Sequence, residues 1–485
     1  MTPLCSRRHF LYTGAYGLGG LAFAELLAKS ARAADKGPGK PELNPVSYDL
    51  TPKAPHHAPK AKAMISMFMV GGPSQIDLFD NKPELVKLDG KAFPGKVKVD
   101  NPAQASAKVQ APMWKYKKYG QCGMEMSELL PHLGGIADDI TLIRSMHTGV
   151  NNHIPSMYSL NGGSQLAGRP TLGSWLLYGL GCETKELPAY VALTHPDGGP
   201  LVNSDNWSNG WLPSLYQGTA IRPREPRIIN LDAPAHLAGA PQREQLDLLR
   251  KLNEKHLAER PSESDLSARM ANYELAARMQ LAAKEAFDLT KETKETLELY
   301  GVNDKETRDY GSRCLIARRL VERGVRYVQV FAAGQTWDHH DGLFPKLPRM
   351  CREVDKPAAA LVSDLKRLGL LDTTLVHWGG EMGRLPTIQV PPGGGGDSKD
   401  KLGRDHNTYG FSMWVAGGGL KAGHVHGETD EFSHHAVKDI VTHSDWLATV
   451  LHQFGLDKDK LHFKRNAREL TLTDGAGAVI KGLLA

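Results

Sequence analysis

Residues 371–407 read LDTTLVHWGGEMGRLPTIQVPPGGGGDSKDKLGRDHN, and their order sets a frame for the whole chain. The apolar run over 373–378 has the length and composition of a strand buried on both faces, and Gly379-Gly380 stops it. Glu381 then stands where the backbone leaves the sheet, which in an open α/β sheet is where ligands bind. Past a glycine-rich loop, Asp405 and His406 bring an adjacent carboxylate and imidazole, both suited to a borderline transition metal. Upstream, Trp337-Asp338-His339-His340-Asp341 follows another apolar run at 325–331. Acids and histidines at successive strand exits predict one shared metal site.

Further strand-like runs lie at 64–70, 140–146, 189–194 and 411–416, each closed by glycine or a polar turn. Helical spacing fills 171–181, 240–300, 307–323 and 444–454, and the 240–300 stretch reads as a helical insertion covering the sheet. Arg318, Arg319, Glu322 and Arg323 are expected on the exposed side of their helix. Repeated strand-then-helix order, without an internal repeat, predicts a doubly wound, mostly parallel α/β sheet sandwiched by helices. The 140–146 run leads through His147, Thr148, Asn152 and His153 into a short helix, an arrangement that presents a reacting group or an anion at a helix N-terminus. Asp77 sits on the turn after the first strand, a place where a cap or Asx turn is the common use. Trp207 and Trp211, within a Gly-, Asn- and Ser-rich segment, are expected on a substrate-facing loop. Residues 82–130 are rich in lysine and suggest no chemistry.

The chain begins with Ser6-Arg7-Arg8-His9-Phe10-Leu11, a Gly/Ala/Leu stretch and Ala31-Arg32-Ala33, which together read as a twin-arginine export signal over 1–33. Its apolar part falls short of the roughly 20 residues a membrane span needs. The expected location is periplasmic or secreted, with the export machinery as a partner and no stable membrane span. Proline-rich residues 34–62 read as a disordered linker, leaving 63–485 as one α/β domain. Loss of 1–33 removes four Lys/Arg and one Glu, which lowers the formal charge from +5 to +2. Such a balance gives no reason to invoke nucleic acid. Cys122, Cys182, Cys314 and Cys351 match no disulfide or zinc spacing.

The twin-arginine start is followed by GGPSQIDLFD at 71–80, ARRLVERGVRYVQV at 317–330, WDHH at 337–340, GGEMGR at 379–384, GRDHN at 403–407 and AGGGLKAG at 416–423. In this order the set resembles the exported family called domain of unknown function 1501, grouped with sulfatases in the alkaline-phosphatase-like superfamily. The resemblance implies one or two divalent ions held by loops at the carboxyl edge of the sheet. It implies Glu381 and Met382 in the places of a superfamily Asp-His pair, His406 as the later histidine, Asp338 and His340 as an earlier pair, and Asp77 as the first-strand aspartate. With Asp405, these residues form the expected metal set, whose mixed oxygen and nitrogen donors favour zinc or manganese and leave calcium open.

The resemblance also implies a Cys or Ser nucleophile where this chain has Asn152, and an amide cannot be an activated nucleophile. Thr148, Ser156 or a metal-activated water stay open for that role. His153 and Asn152 are the expected catalytic residues, His153 orienting the ester oxygen or protonating the leaving group. Two functions follow. One is an exported metal-dependent hydrolase of sulfate or phosphate esters on a small molecule or polysaccharide. The alternative is a catalytically silent, metal-containing binding protein for acidic or sulfated polysaccharide. The glycines at 393–396 precede no helix and follow no strand, which disfavours a nucleotide site.

Overall fold

The computed structural model describes residues 48–100, 102–259, 264–391, 398–465 and 467–485. The export signal expected over 1–33, residues 34–47 of the expected linker and the glycines at 393–396 lie outside the described residues.

A nine-stranded sheet runs through the molecule. Its strands are β1 (Ala63–Phe68), β2 (Ile140–His147), β3 (Tyr190–Leu193), β4 (Thr219–Ile221), β5 (Tyr327–Phe331), β6 (Thr374–Gly379), β7 (Phe411–Ala416), β8 (His424–His426) and β9 (Val441–Thr442). The spatial order is β8-β2-β7-β6-β1-β5-β3-β4, with β9 also pairing β2. Only β7 runs against its neighbours, β2 and β6. The other pairings are parallel. Every residue of β1, β3, β5, β6 and β7 is buried, the condition that makes parallel strands read as unbroken apolar runs.

Alternation along these strands feeds two cores. Ile65, Met67, Val376 and Trp378 face one, and Met64, Phe68, Leu375 and Met413 face the other. Helices α1 (His153–Gly162), α2 (Leu172–Leu180), α3 (Ala240–Glu259), α4 (Ser264–Phe287), α5 (Arg308–Glu322), α6 (Leu343–Arg367) and α7 (His443–Gln453) surround the sheet. Leu315 and Ile316 of α5 and Leu361 and Leu365 of α6 close the first core. Trp175 of α2 and Leu447 and Val450 of α7 close the second. Each such leucine contributes about 1.5–3 kcal/mol on burial.

Helix α6 has no counterpart in the sequence reading because Pro348 and Pro357 lie inside it. An interior proline costs about 3 kcal/mol in a helix, and here the buried stripe Leu347, Met350, Val354, Leu361 and Leu365 offsets it. Arg318 and Arg319 are buried, contrary to expectation. Arg318 pairs with Glu292 at 2.9 Å and Asp364 at 3.1 Å, and Arg319 pairs with Glu292, so the charges are compensated inside the fold. Trp207 is buried on Phe331 and belongs to the core, contrary to expectation, and Trp211 packs half-buried against that core on Trp175 and Phe463.

Residues 48–62 are not a free linker either. Lys53 N donates to Leu180 O at 3.0 Å, Lys60 N to Gln453 O at 2.8 Å and Lys62 N to Thr373 O at 2.7 Å, which straps the segment across the ends of α2 and α7 and into β6. Among the described residues no helix is long and apolar enough to cross a membrane.

Candidate metal centre

The chain leaves the carboxyl ends of β1, β2, β5 and β6 along one edge of the sheet, and these exits carry Gly71, His153, Asp338 with His340, and Glu381. A short antiparallel ribbon, Gly383–Arg384 against His406–Asn407, sets Arg384 opposite His406 and returns the last histidine to that edge. Close approach needs Gly71: its φ is +108°, and a Cβ there would lie 2.5 Å from Asp338 N.

His153, Asp338, His340 and His406 each offer one ligand atom, and these atoms all lie within 4.8 Å of one another. His153 Nε2 stands 3.3 Å from Asp338 Oδ2, and the Nε2 atoms of His340 and His406 stand 3.0 and 3.4 Å from Asp338 Oδ1. The His406 ring lies 4.4 Å from that of His153 and 4.5 Å from that of His340. Partners on the far nitrogens fix two of the rings. Glu381 Oε1 accepts from His153 Nδ1 at 2.6 Å, and Gln389 Oε1 from His340 Nδ1 at 2.7 Å. With a proton held at Nδ1, Nε2 is the nitrogen that each ring turns toward Asp338 and leaves for an ion, the arrangement by which carboxylates and amides orient metal-binding histidines.

The donors fit a divalent transition metal. His153 Nε2 and both nitrogens of His406 are buried without a directed hydrogen bond, a state that is costly unless a cation or water serves it. Three imidazoles and one carboxylate match the coordination chemistry of zinc or manganese better than that of calcium, which prefers oxygen throughout.

Charge around the group points the same way. Burial acts to push His153 down, but hydrogen bonds and charge from Asp338 and Glu381 outweigh it and raise the imidazole to about 9. Burial opposes ionisation of Asp338 as well, yet Arg384 and the three histidines hold its carboxyl far below the usual range. Burial keeps His406 below its ordinary value. A cation bound among them would replace the proton on His153. Arg384, fully buried, approaches Asp338 Oδ1 to 2.6 Å while its Nε donates to Gly72 O at 3.0 Å and its Nη1 to Arg404 O at 3.3 Å.

Of the expected metal set, Asp338, His340 and His406 come together. Asp77 does not join them. Its Oδ2 accepts from Arg404 Nε at 2.8 Å and from Ser74 Oγ at 2.6 Å, and its Oδ1 from Met113 N at 3.1 Å, so it is the counter-ion of a buried guanidinium. Glu381 sits beside the group, holding His153 and accepting from Gly71 N at 2.9 Å, with Oε2 left unpaired. Asp405 lies one step out, in a second trio with Asp100 and His406, where its Oδ2 accepts from Asp100 N at 2.7 Å. Met382 packs at Gly72 and is outside the group.

His153, expected as a catalytic acid or orienting residue, stands among the four residues placed to hold an ion. Asn152 is the N-cap of α1, its side chain accepting from Ile154 N at 3.1 Å. His339 is buried away from the group beside Trp337. Sequence reasoning missed Asp100, Arg384 and Arg404. The two arginines lie within the GGEMGR and GRDHN segments, whereas Asp100 lies in the lysine-rich stretch and carries no motif.

Residues 61–484 match the family described as "Protein of unknown function (DUF1501)". The chain belongs to that family. Among solved structures it is similar to the lipoteichoic acid synthase LtaP from Listeria monocytogenes, with 9% identity, 89% of this chain and 79% of that chain covered, and a TM-score of 0.35. It is also similar to the PsFucS1 sulfatase from Pseudoalteromonas sp., with 12% identity, coverage of 81% and 68%, and a TM-score of 0.33. For alkaline phosphatase from the Antarctic bacterium TAB5 the values are 9% identity, 82% and 99% coverage, and a TM-score of 0.32. No curated protein matches the chain. Likenesses this distant carry no functional weight, so the site geometry alone must bear it.

Proposed function

We propose that this DUF1501 protein is a metal-dependent hydrolase of sulfate or phosphate esters. The observation that carries the reading is the convergence of three Nε2 atoms and one carboxylate, with two of the rings locked by Glu381 and Gln389. When bound, a divalent cation polarises an ester oxygen and lowers the pKa of a water. His153, His340, His406 and Asp338 would hold the ion. Glu381 fixes the tautomer of His153, and Arg384 keeps Asp338 ionised and offers a fixed positive charge beside an anionic ester.

Side chains at the elbow favour water as the attacking group. The Asn152 amide is committed to the α1 cap, and Ser156 donates its hydroxyl to Glu381 O at 3.0 Å. Thr148 Oγ1, 3.2 Å from Ser156 Oγ, is the half-buried hydroxyl that remains. The cap role of Asn152 equally favours the second reading, a silent metal-containing binder of acidic or sulfated polysaccharide. We place either protein in the periplasm or outside the cell, exported by the twin-arginine route, on the strength of Arg7, Arg8 and the residues that follow them. The helices α3 and α4 are taken as the insertion.

Elemental analysis of purified protein, run beside a panel of aryl sulfates and aryl phosphates, tests the proposal. Expected are zinc or manganese and turnover that disappears in His406→Ala. A metal-loaded protein that turns over no ester would transfer the reading to the silent binder, and calcium alone would defeat the donor argument.

A further inference from the structure

Beside the metal centre runs a ribbon of rings that the centre itself does not use. His147 ends β2, six residues before His153, and Tyr409 lies three residues past His406. Thr148 N and Gly149 N both donate to Thr408 O at 3.0 Å, which ties the two loops together. Ring centroids then follow one another from His147 to Tyr409 at 5.8 Å, to His435 at 5.1 Å, to His434 at 4.1 Å and to Phe93 at 5.7 Å. His434 is buried beneath the row, whereas His147, Tyr409 and Phe93 are half-buried and His435 is exposed.

The ribbon is built, not incidental. Asn407, fully buried and adjacent to the ligand His406, donates to Gly410 O at 2.8 Å, Ser433 O at 3.2 Å and His434 O at 3.0 Å, and accepts from Tyr409 N at 3.0 Å. One amide therefore ties the strand of His406 to the loops that carry Tyr409 and His434-His435. Fully buried rings have a packing reason to exist. Phe93 also packs on Phe432 at 5.2 Å and on the small core of Ile76, Leu85 and Val109, yet it, His147 and Tyr409 keep a half-exposed face, and rings that are apolar on one face and wet on the other suit ligands of the same character. A sugar ring, with a face of C–H groups and a rim of hydroxyls, is such a ligand. Exposed Lys91, Lys96 and Lys98 flank Phe93 in the chain and add positive charge at the far end.

We propose that this ribbon, from His147 through Tyr409 and His435 to Phe93, is a track for an anionic glycan chain that delivers one sugar's ester group to the metal centre. The delivery step rests on the ester-hydrolase reading; the binding step stands separately.

The test uses the full metal-loaded chain titrated with dextran sulfate and with uncharged dextran of the same length. Dextran sulfate should bind at least about tenfold tighter, as charge complementarity from the lysines requires. Tyr409→Ala should weaken binding about three- to tenfold, the range for loss of one stacked ring, while Tyr409→Phe should bind like the unaltered protein. Lys96→Ser with Lys98→Ser should weaken binding and reduce its salt dependence.

Metal content checks that the Tyr409 variants keep the His406 loop. Should Tyr409→Ala lose metal, His435→Ala, an exposed change, decides by the same measure: weaker binding supports the track and unchanged binding overturns it. Binding that ignores Tyr409→Ala in a metal-replete protein would be ionic adsorption and would overturn the proposal, as would equal binding of both polymers. Tyr409-sensitive binding without turnover of any ester would leave the track standing and remove the hydrolase. Turnover of aryl esters with no dextran sulfate binding would do the reverse.

Discussion

Asp77→Ala should destabilise the protein by about 3–5 kcal/mol and leave its metal content unchanged. Asp77 and Arg404 are both fully buried, and the carboxylate takes two guanidinium contacts, Nε at 2.8 Å and Nη2 at 3.3 Å. Removing it leaves a cation in the interior without a counter-ion and strands Met113 N, which donates to Oδ1. The remaining guanidinium bonds, to Gln110 O at 3.0 Å, Ala111 O at 3.0 Å and Leu385 O at 3.3 Å, hold the cation in place and prevent it from turning out to water. Asp77→Asn keeps the shape and one acceptor, so it should lose only the charge-assisted part, about 1.5–3 kcal/mol.

The double change Asp77→Leu with Arg404→Met removes both charges and should recover a large share of the loss, because breaking a buried pair costs more than deleting it. Urea unfolding of each variant, with and without chelator, measures these differences, and elemental analysis gives the metal. Loss of metal from Asp77→Ala with unfolding free energy within about 1 kcal/mol of the unaltered protein would refute the reasoning and return Asp77 to the ligand set.

Glu381→Ala should weaken metal binding about 10–100-fold in a chelator competition, since it removes the acceptor that holds the His153 ring; unchanged affinity would count against the orienting role. Asn152→Ala should cost about 1 kcal/mol in unfolding through loss of the α1 cap, and no measurable cost would remove that assignment. His443, buried without a partner on either nitrogen, is held down at about 3 by burial and then by His147 and His377. Its folded value is below the unfolded 6.5, so as pH falls the unfolded chain takes up the proton first. Its stability contribution is present above pH 6.5 and is lost toward pH 3, by at most about 5 kcal/mol. His443→Phe should flatten the acid limb of a stability-versus-pH curve, and an unaltered limb would exclude this residue as its source.

The strands were legible because a parallel sheet buries both faces. The 64–70, 325–331, 373–378 and 411–416 runs correspond to β1, β5, β6 and β7, with small shifts at their ends. Helix α6 was not, since Pro348 and Pro357 argue locally against a helix and only the core they face overrides them. Arg318 and Arg319 show the same limit. Their charge argues for solvent, and the carboxylates that reverse this, Glu292 and Asp364, are supplied by other segments of the chain.

At the site, position was easier to read than role. A strand exit places a side chain at the carboxyl edge whatever it does there, so Asp338, His340, Glu381 and His406 could all be put near one point from order alone. Whether a carboxylate binds an ion, orients an imidazole or neutralises an arginine depends on what stands opposite its oxygens. For Asp77 that group is Arg404, 327 positions away, and for Glu381 it is His153, 228 positions away. For His153 the same logic bears on its role: with Glu381 on Nδ1 and Asp338 facing Nε2, an ion bound at Nε2 would leave the ring no free proton to give.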